Sequence, residues 1–180
     1  MEQKSRPWVF GYGSLIWRPG FDFVEKSPAL LRGAHRQLCI YSFRHRGTEA
    51  EPGLVFGLMP GGSCHGMAFS VDPDRWPDVL EYLREREMDR GVYREAWRPI
   101  RLRSGETVTA LAFVAAAEHP QFAGKLDIEA QLRFVRQGVG ESGANPEYVL
   151  ETAAHLKALG IRDRVLDRLA QRLAEELRRP

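Results

Sequence analysis

The sequence predicts an α+β fold, in which helices pack on a mostly antiparallel or mixed sheet whose short strands could close into a small barrel. Strand-like runs separated by turn residues fill the first part of the chain, and helical patterns fill the last part. The chain has 180 residues, of which 43% are hydrophobic, and this suits one compact domain with its own core. We therefore expect residues 1–180 to form a single domain.

Turn residues separate the predicted strands of the first half. Apolar, strand-like runs begin at Trp8 and then cover 38–43, 54–59 and 64–71. The polar segment 44–53 predicts a loop, and Pro60-Gly61-Gly62 predicts a tight hairpin turn between the last two runs.

Capping residues and glycines delimit the later elements. Asp72 and Pro73 provide an N-cap and an N1 proline, which predict a helix that runs to Met88 and stops before Gly91. A hairpin follows around Ser104-Gly105, and three helices complete the chain. The predicted ranges are 92–102 and 107–115 for the hairpin strands, and 128–137, 146–159 (behind the cap Asn145) and 162–177 for the helices.

Charge and hydropathy exclude several classes of protein. With 26 basic and 24 acidic residues, the net charge of +2 gives no broad attraction to nucleic acid. The N-terminus lacks the pattern of a signal peptide, and no window has the ~20 apolar residues that span a bilayer. We expect a cytoplasmic protein without a membrane or nucleic-acid partner. The polar, Arg/Glu-rich final helix favours a monomer.

Cysteine and histidine usage argues against a disulfide framework and a structural metal. Cys39 and Cys64 allow a single bridge in a long chain, which suits a reducing compartment. The five histidines show no metal-ligand spacing. We expect no metal.

The run from Trp8 to Ile16 reads Trp-Val-Phe-Gly-Tyr-Gly-Ser-Leu-Ile, a strand pattern interrupted by Gly11 and Gly13. Such glycines indicate a positive φ or a close approach of another group. Backbone amides and the Ser14 hydroxyl at the end of a strand can hold a carboxylate or phosphate. The alternative is a strand bulge without a ligand. The run lacks the spacing of a nucleophile elbow or of a dinucleotide-binding glycine motif.

Glu87 continues the apolar stripe of the first predicted helix. At 100° per residue it lies in line with Leu80 and Leu83, whereas Glu81 and Glu85 point away from that stripe. Burial would raise the pKa of such a carboxylate and suit it to general acid/base catalysis near neutral pH. The alternative is a frayed helix end at which Glu87 reaches water and pairs with Arg86 or Arg90.

Three motifs together resemble the ChaC-type γ-glutamylcyclotransferases, in particular their bacterial branch. They are Val-Phe-Gly-Tyr-Gly-Ser-Leu-Ile-Trp-Arg-Pro at 9–19, Arg86-Glu87 after a Tyr-Leu pair, and Gly-Ala-Asn-Pro-Glu-Tyr at 143–148. The resemblance covers most of the chain and implies a small mixed β-barrel with flanking helices. It also implies cleavage of glutathione to 5-oxoproline and cysteinylglycine without a metal or organic cofactor.

The resemblance also implies roles for individual residues. It assigns catalysis to Glu87 and substrate binding to Phe10, Gly11, Tyr12, Gly13, Ser14 and Leu15. Tyr148 could bond to substrate or to Glu87, or it could only pack in a stripe with Thr152, His155 and Leu159. Arg46 could pair with the glycine carboxylate of glutathione, or it could be a solvated loop arginine.

Two other functions stay open at this point. The same residues would serve a cyclotransferase that acts on other γ-glutamyl amines or dipeptides. They would also serve a non-catalytic γ-glutamyl-binding module, although an unused buried carboxylate would cost stability.

Overall fold

The structure is a computed structural model that describes residues 5–88 and 90–178. The chain divides into two compact units. The first comprises Met1–Arg36 and Gly57–His119, and the second comprises Gln37–Phe56 and Pro120–Pro180.

Five strands form a closed barrel in the order β1-β3-β2-β4-β5. They are β1 (Trp8–Gly11), β2 (Glu25–Ser42), β3 (Gly53–Ser70), β4 (Tyr93–Leu102) and β5 (Thr107–Ala115). Strand β1 pairs antiparallel with β3 and parallel with β5, while β4 pairs antiparallel with both β2 and β5. The described residues form four α-helices in addition to this mixed barrel, so the predicted α+β class is confirmed.

Strand β2 starts at Glu25, well before the predicted start at residue 38. Pro28 and Gly33 hid the earlier part of the strand because both residues interrupt a strand pattern. Gly33 adopts a φ of 85° inside the strand. Ala29 and Leu31 are nonetheless buried and pair with β4, so tertiary pairing overrides the local signal.

The hairpin turn predicted at Pro60-Gly61-Gly62 is wrong. Strand β3 runs through these residues without reversing, with positive φ at Gly61 and Gly62. His35 of β2 lies beside this segment, and its Nδ1 is 2.9 Å from the Gly61 carbonyl oxygen. The glycines therefore bend a continuous strand against its barrel neighbour.

Helix α1 spans Trp76–Met88 and begins three residues later than predicted. The Asp72 carboxylate accepts a hydrogen bond from the Asp74 amide at 2.9 Å, and the Asp72 carbonyl accepts one from the Arg75 amide. A turn thus precedes the helix. Val79 and Leu83 of α1 pack in a cluster with barrel residues that include Val9, Leu111 and Phe113.

The second unit contains three helices and a short ribbon. They are α2 (Ile128–Gln137), β6 (Val139–Gly140), β7 (Gly143–Ala144), α3 (Asn145–Ala158) and α4 (Arg164–Leu177). Asp127 and Asp163 cap α2 and α4 through their side chains. No described helix combines the length and apolar character needed to cross a bilayer. Cys39 and Cys64 are buried and are not joined by a disulfide bond.

The predicted cap at Asn145 is wrong. Ala144 is the N-cap of α3, and Asn145 is the first helical residue. Its side-chain amide accepts a hydrogen bond from the Leu54 N–H at 2.7 Å and donates one to the Leu54 carbonyl at 2.8 Å. Asn145 therefore ties the helix to β3 within this unit.

Candidate functional site

The end of strand β1 is closely packed around Gly11. A Cβ at Gly11 would lie 3.0 Å from the Cβ of Leu15, and a Cβ at Gly66 on β3 would overlap the Gly11 carbonyl oxygen. The expected close approach is therefore confirmed at Gly11. A positive φ is found at neither Gly11 nor Gly13, the latter having φ −134° and ψ −127°.

A turn of 3-10 helix over Ser14–Ile16 follows β1. The Ile16 amide bonds to the Gly13 carbonyl, and the Arg18 amide bonds to the Ser14 carbonyl. The N–H groups that open such a turn have no partner within it. Among the described residues, none accepts a hydrogen bond from the N–H of Gly13, Ser14 or Leu15. These amides are the donors that an anion cradle requires.

Tyr12 is held in place at both its side chain and its backbone. Its hydroxyl donates to the Phe113 carbonyl of β5 at 2.6 Å, and its carbonyl accepts from the Arg36 Nε at 2.5 Å. Arg36 also donates to the His65 carbonyl at 2.6 Å, and its side chain is buried. Because a trans peptide points its C=O and N–H in opposite directions, Arg36 directs the Gly13 N–H away from itself.

Sequence reasoning did not single out Arg36. It lies in the half of β2 that showed no strand signal, and its partners are main-chain carbonyls, which leave no trace in a sequence pattern. By contrast, Phe10 and Leu15, which were predicted to bind substrate, have buried side chains. Leu15 packs in the cluster that holds α1. Both residues therefore shape the site through packing and backbone position.

Glu87 lies one turn beyond Leu83 on α1, and its side chain is 17% exposed. Burial raises the pKa of its carboxyl above the ordinary value, and the charge of the adjacent Arg86 offsets part of that rise. Arg86 Nε lies 3.3 Å from Glu87 Oε1. The predicted partial burial is thus confirmed, together with the pairing to Arg86 that the alternative expected.

Arg86 connects Glu87 to the turn after β1. Its Nη2 donates to the Ser14 hydroxyl oxygen at 2.9 Å, while its Nε faces Glu87. One guanidinium thereby joins the serine of the glycine-rich strand end to the carboxylate of the helix. The sequence alone had suggested this arginine only as a surface partner of Glu87.

The arrangement offers a base and a set of donors in one place. Glu87 can accept and return a proton, and the turn presents amides and a hydroxyl to an anionic or polarised group. In the part of the chain that the structure describes, no group of three or more His, Cys, Asp or Glu side chains could hold a metal ion.

Tyr148 and Arg46 belong to the second unit. The Tyr148 hydroxyl accepts from the Phe56 amide at 3.2 Å, and the Arg46 guanidinium lies 5.3 Å from the centre of the Tyr148 ring. Arg46 also donates to the Ala144 carbonyl at 3.1 Å and is only partly exposed. The predicted packing stripe needs a correction, because His155 is exposed and Leu156 is buried instead.

Comparison with known proteins places the chain among γ-glutamylcyclotransferases. A family model described as ChaC-like protein matches residues 7–176. The glutathione-specific γ-glutamylcyclotransferase of Escherichia coli K12 is 32% identical over 156 residues, which cover 87% of this chain and 68% of that protein. The Schizosaccharomyces pombe enzyme of the same name is 32% identical over 171 residues, 84% of this chain and 83% of that protein.

A solved structure shows the same fold. The crystal structure of the glutathione-specific cyclotransferase from yeast superposes with a TM-score of 0.86, covering 94% of this chain and 96% of that one at 22% identity. At this identity the similarity establishes the fold, and the barrel with flanking helices implied by the resemblance is confirmed.

Proposed function

Because this chain belongs to the ChaC-like family, we propose that it is an enzyme that cleaves the γ-glutamyl amide of glutathione. The products would be 5-oxoproline and cysteinylglycine. The observation that carries the proposal is the partly buried Glu87, linked through Arg86 to the Ser14 turn. Relatives named as glutathione-specific favour glutathione over other γ-glutamyl compounds and favour catalysis over binding alone.

Cyclisation is a reaction that a single carboxylate can drive. The α-amine of the γ-glutamyl group attacks its own γ-carbonyl, so the nucleophile is already tethered to its target. Well-oriented intramolecular attack can reach effective molarities of ~10⁵ M or more. The new C–N bond closes a five-membered lactam, and the bond to the cysteine nitrogen breaks.

Glu87 would perform the proton transfers of this reaction. As a carboxylate it takes a proton from the α-ammonium, and as the resulting acid it returns that proton to the departing cysteine nitrogen. The second proton that the ring nitrogen loses also passes to this nitrogen, which leaves as an ammonium group. Burial raises the pKa of the Glu87 carboxyl, which makes the carboxylate a stronger base toward the α-ammonium.

The turn after β1 would hold the substrate. The amides of Gly13, Ser14 and Leu15 and the Ser14 hydroxyl can donate to the α-carboxylate or to the oxyanion that forms on the γ-carbonyl. Phe10, Gly11 and Tyr12 would keep this turn in position, Tyr12 through its bonds to Phe113 and Arg36. The substrate role of Tyr148 stays a prediction, which a raised KM in Tyr148→Phe would support.

We also propose that residues 1–180 act as one domain, as a cytoplasmic monomer without a metal or cofactor. The match of the family model to residues 7–176 draws on both compact units and supports a single functional domain.

Replacing Glu87 by Gln tests the catalytic assignment. We expect turnover of glutathione to fall by at least ~10² to 10⁴-fold, because the amide cannot exchange the proton. Release of 5-oxoproline and cysteinylglycine is measured with a chelator present, and circular dichroism checks the fold. The matched control is Glu85→Gln, which removes the same charge from an exposed position on α1. Activity of Glu87→Gln within a few fold of wild type contradicts the assignment.

A comparison of substrates tests the two other functions. Release of 5-oxoproline from γ-glutamyl-alanine at a rate equal to that from glutathione would favour a broader cyclotransferase. Thermal stabilisation by glutathione without any product would favour a binding module.

A further inference from the structure

Arg86 uses all three nitrogens of its guanidinium inside the candidate site. Nη2 donates to Ser14 Oγ, Nε faces Glu87, and Nη1 donates to the Arg18 carbonyl at 2.7 Å and the Pro19 carbonyl at 3.1 Å. Nη1 also donates to the Tyr82 hydroxyl at 3.0 Å. Its side chain is 19% exposed. A solvent-exposed arginine at the end of a helix would not have protein partners for all three of its guanidinium nitrogens.

The bond from Arg86 fixes the chemical role of Ser14. A guanidinium has only donors, so the Ser14 oxygen must be the acceptor in this contact. The single hydroxyl proton of Ser14 then points elsewhere. Among the described residues, none accepts a hydrogen bond from it. Ser14 is thereby held as a donor toward a group that reaches the turn.

The same guanidinium determines the charge environment of Glu87. Within the described part of the chain, Arg86 is the single charged group whose field shifts the pKa of Glu87, and it opposes the effect of burial. Of the neighbouring charges, Arg84 on α1 is bound to Glu95 of β4, and Arg18 contacts Arg86 through its carbonyl. Removing Arg86 would leave the carboxylate buried without a compensating charge.

We propose that Arg86 is a positioning residue for the cyclisation, which holds the Ser14 hydroxyl as a donor to the substrate and the Glu87 carboxylate beside it. This inference rests on the proposed function. Arg86 would act through these two groups and would not itself accept a proton, because a guanidinium has only donors.

The test is the pH dependence of kcat/KM for glutathione in Arg86→Met and Arg86→Lys. For Arg86→Met we expect kcat/KM to fall about 100-fold near neutral pH, a loss typical of a misplaced catalytic group. We also expect the acid limb of the profile to move to higher pH, since the unpaired Glu87 binds its proton more tightly. Arg86→Lys should keep the acid limb near its wild-type position, because the positive charge remains. Its kcat/KM should still fall about 10-fold, because an ammonium group cannot bridge Ser14 and Glu87 as the planar guanidinium does.

A double-mutant cycle separates positioning from a purely structural role. If Arg86 acts through Ser14, the double variant Ser14→Ala with Arg86→Met should lose less kcat/KM than the product of the fold-losses of the two single variants. Arg84→Met serves as the matched control, because it removes an exposed arginine from the same helix, and it should leave the profile unchanged.

Each outcome discriminates. A wild-type protein that does not turn over glutathione overturns the proposed function and this inference with it. A wild-type protein that is active, with an unmoved acid limb in Arg86→Met and strictly multiplicative losses with Ser14→Ala, overturns only the inference. Should Arg86→Met fail to fold, Arg86→Lys decides: activity equal to wild type overturns the inference.

Discussion

The raised pKa of Glu87 links the charge of one residue to the stability of the fold. Between the ordinary pKa of 4.5 and the raised value, the native state binds more protons than the unfolded state. The contribution of Glu87 to stability is therefore fully present below its ordinary pKa, and it is lost as pH rises through the pKa of Glu87 in the folded state.

Glu87→Gln should remove this dependence. We expect the variant to melt at a higher temperature than wild type at neutral pH and the difference to shrink as pH falls to 4.5 and below. Thermal melts across this range, with the exposed Glu85→Gln as control, measure it. A difference that grows toward low pH would show that the pKa of Glu87 is lowered.

The buried hydroxyl of Ser70 lowers the stability of the fold for a different reason. Ser70 is fully buried in β3, and its hydroxyl has no hydrogen-bond partner among the described residues. Because an unpaired buried hydroxyl forfeits its bond to water, Ser70→Ala should stabilise the protein by about 1 kcal/mol. Urea denaturation measures the change, and the exposed Ser63→Ala on the same strand should be neutral. A destabilised Ser70→Ala would contradict this assessment.

At the scale of elements, the contact between β3 and β1 controls the shape of the turn. A Cβ at Gly66 would overlap the Gly11 carbonyl and lie 2.8 Å from the Phe10 ring, so backbone would have to move. We expect Gly66→Ala to cost about 1–3 kcal/mol and to lower activity as well. Gly61→Ala meets open space, and its positive φ should cost only about 1 kcal/mol without affecting activity. Equal effects on activity in the two variants would contradict the packing argument.

Elements with strong local signals were predicted closely from the sequence. Helix α2 and strand β5 have the expected bounds. Ser104-Gly105 marks the hairpin turn in the sequence, and the structure shows that Asp127 caps the helix. The long strands β2 and β3 were predicted only in part, because their prolines and glycines suggest breaks that pairing with neighbouring strands overrides.

At the scale of the whole molecule, the sequence predicted local features of the candidate site but not the contacts that connect them. Periodicity identified Glu87, and the glycine pattern identified the turn. The bond from Arg86 to Ser14 joins residues 72 positions apart, and the bond from Arg36 to Tyr12 joins residues 24 positions apart. Such pairs depend on barrel closure, which no short sequence window contains.

The charged surface of the second unit supports the predicted monomer. Arg172 pairs with Glu129 and Arg136 pairs with Glu176, so charged side chains of α4 are engaged with α2. We expect light scattering after gel filtration to give a mass near 20.5 kDa. A mass of twice this value would refute the prediction, and dependence on salt would indicate that these pairs also contact a second copy.

The parallel pairing of β1 with β5 has a consequence for biosynthesis. Strand β1 leaves the ribosome before the other four barrel strands, and one of its two partners, β5, is the last of them to emerge. The Tyr12–Phe113 bond spans 101 positions. Contacts of such long range form slowly and cannot form during early translation. The nascent chain therefore carries its glycine-rich segment unpaired on that side until β5 emerges, and the candidate site is complete only then.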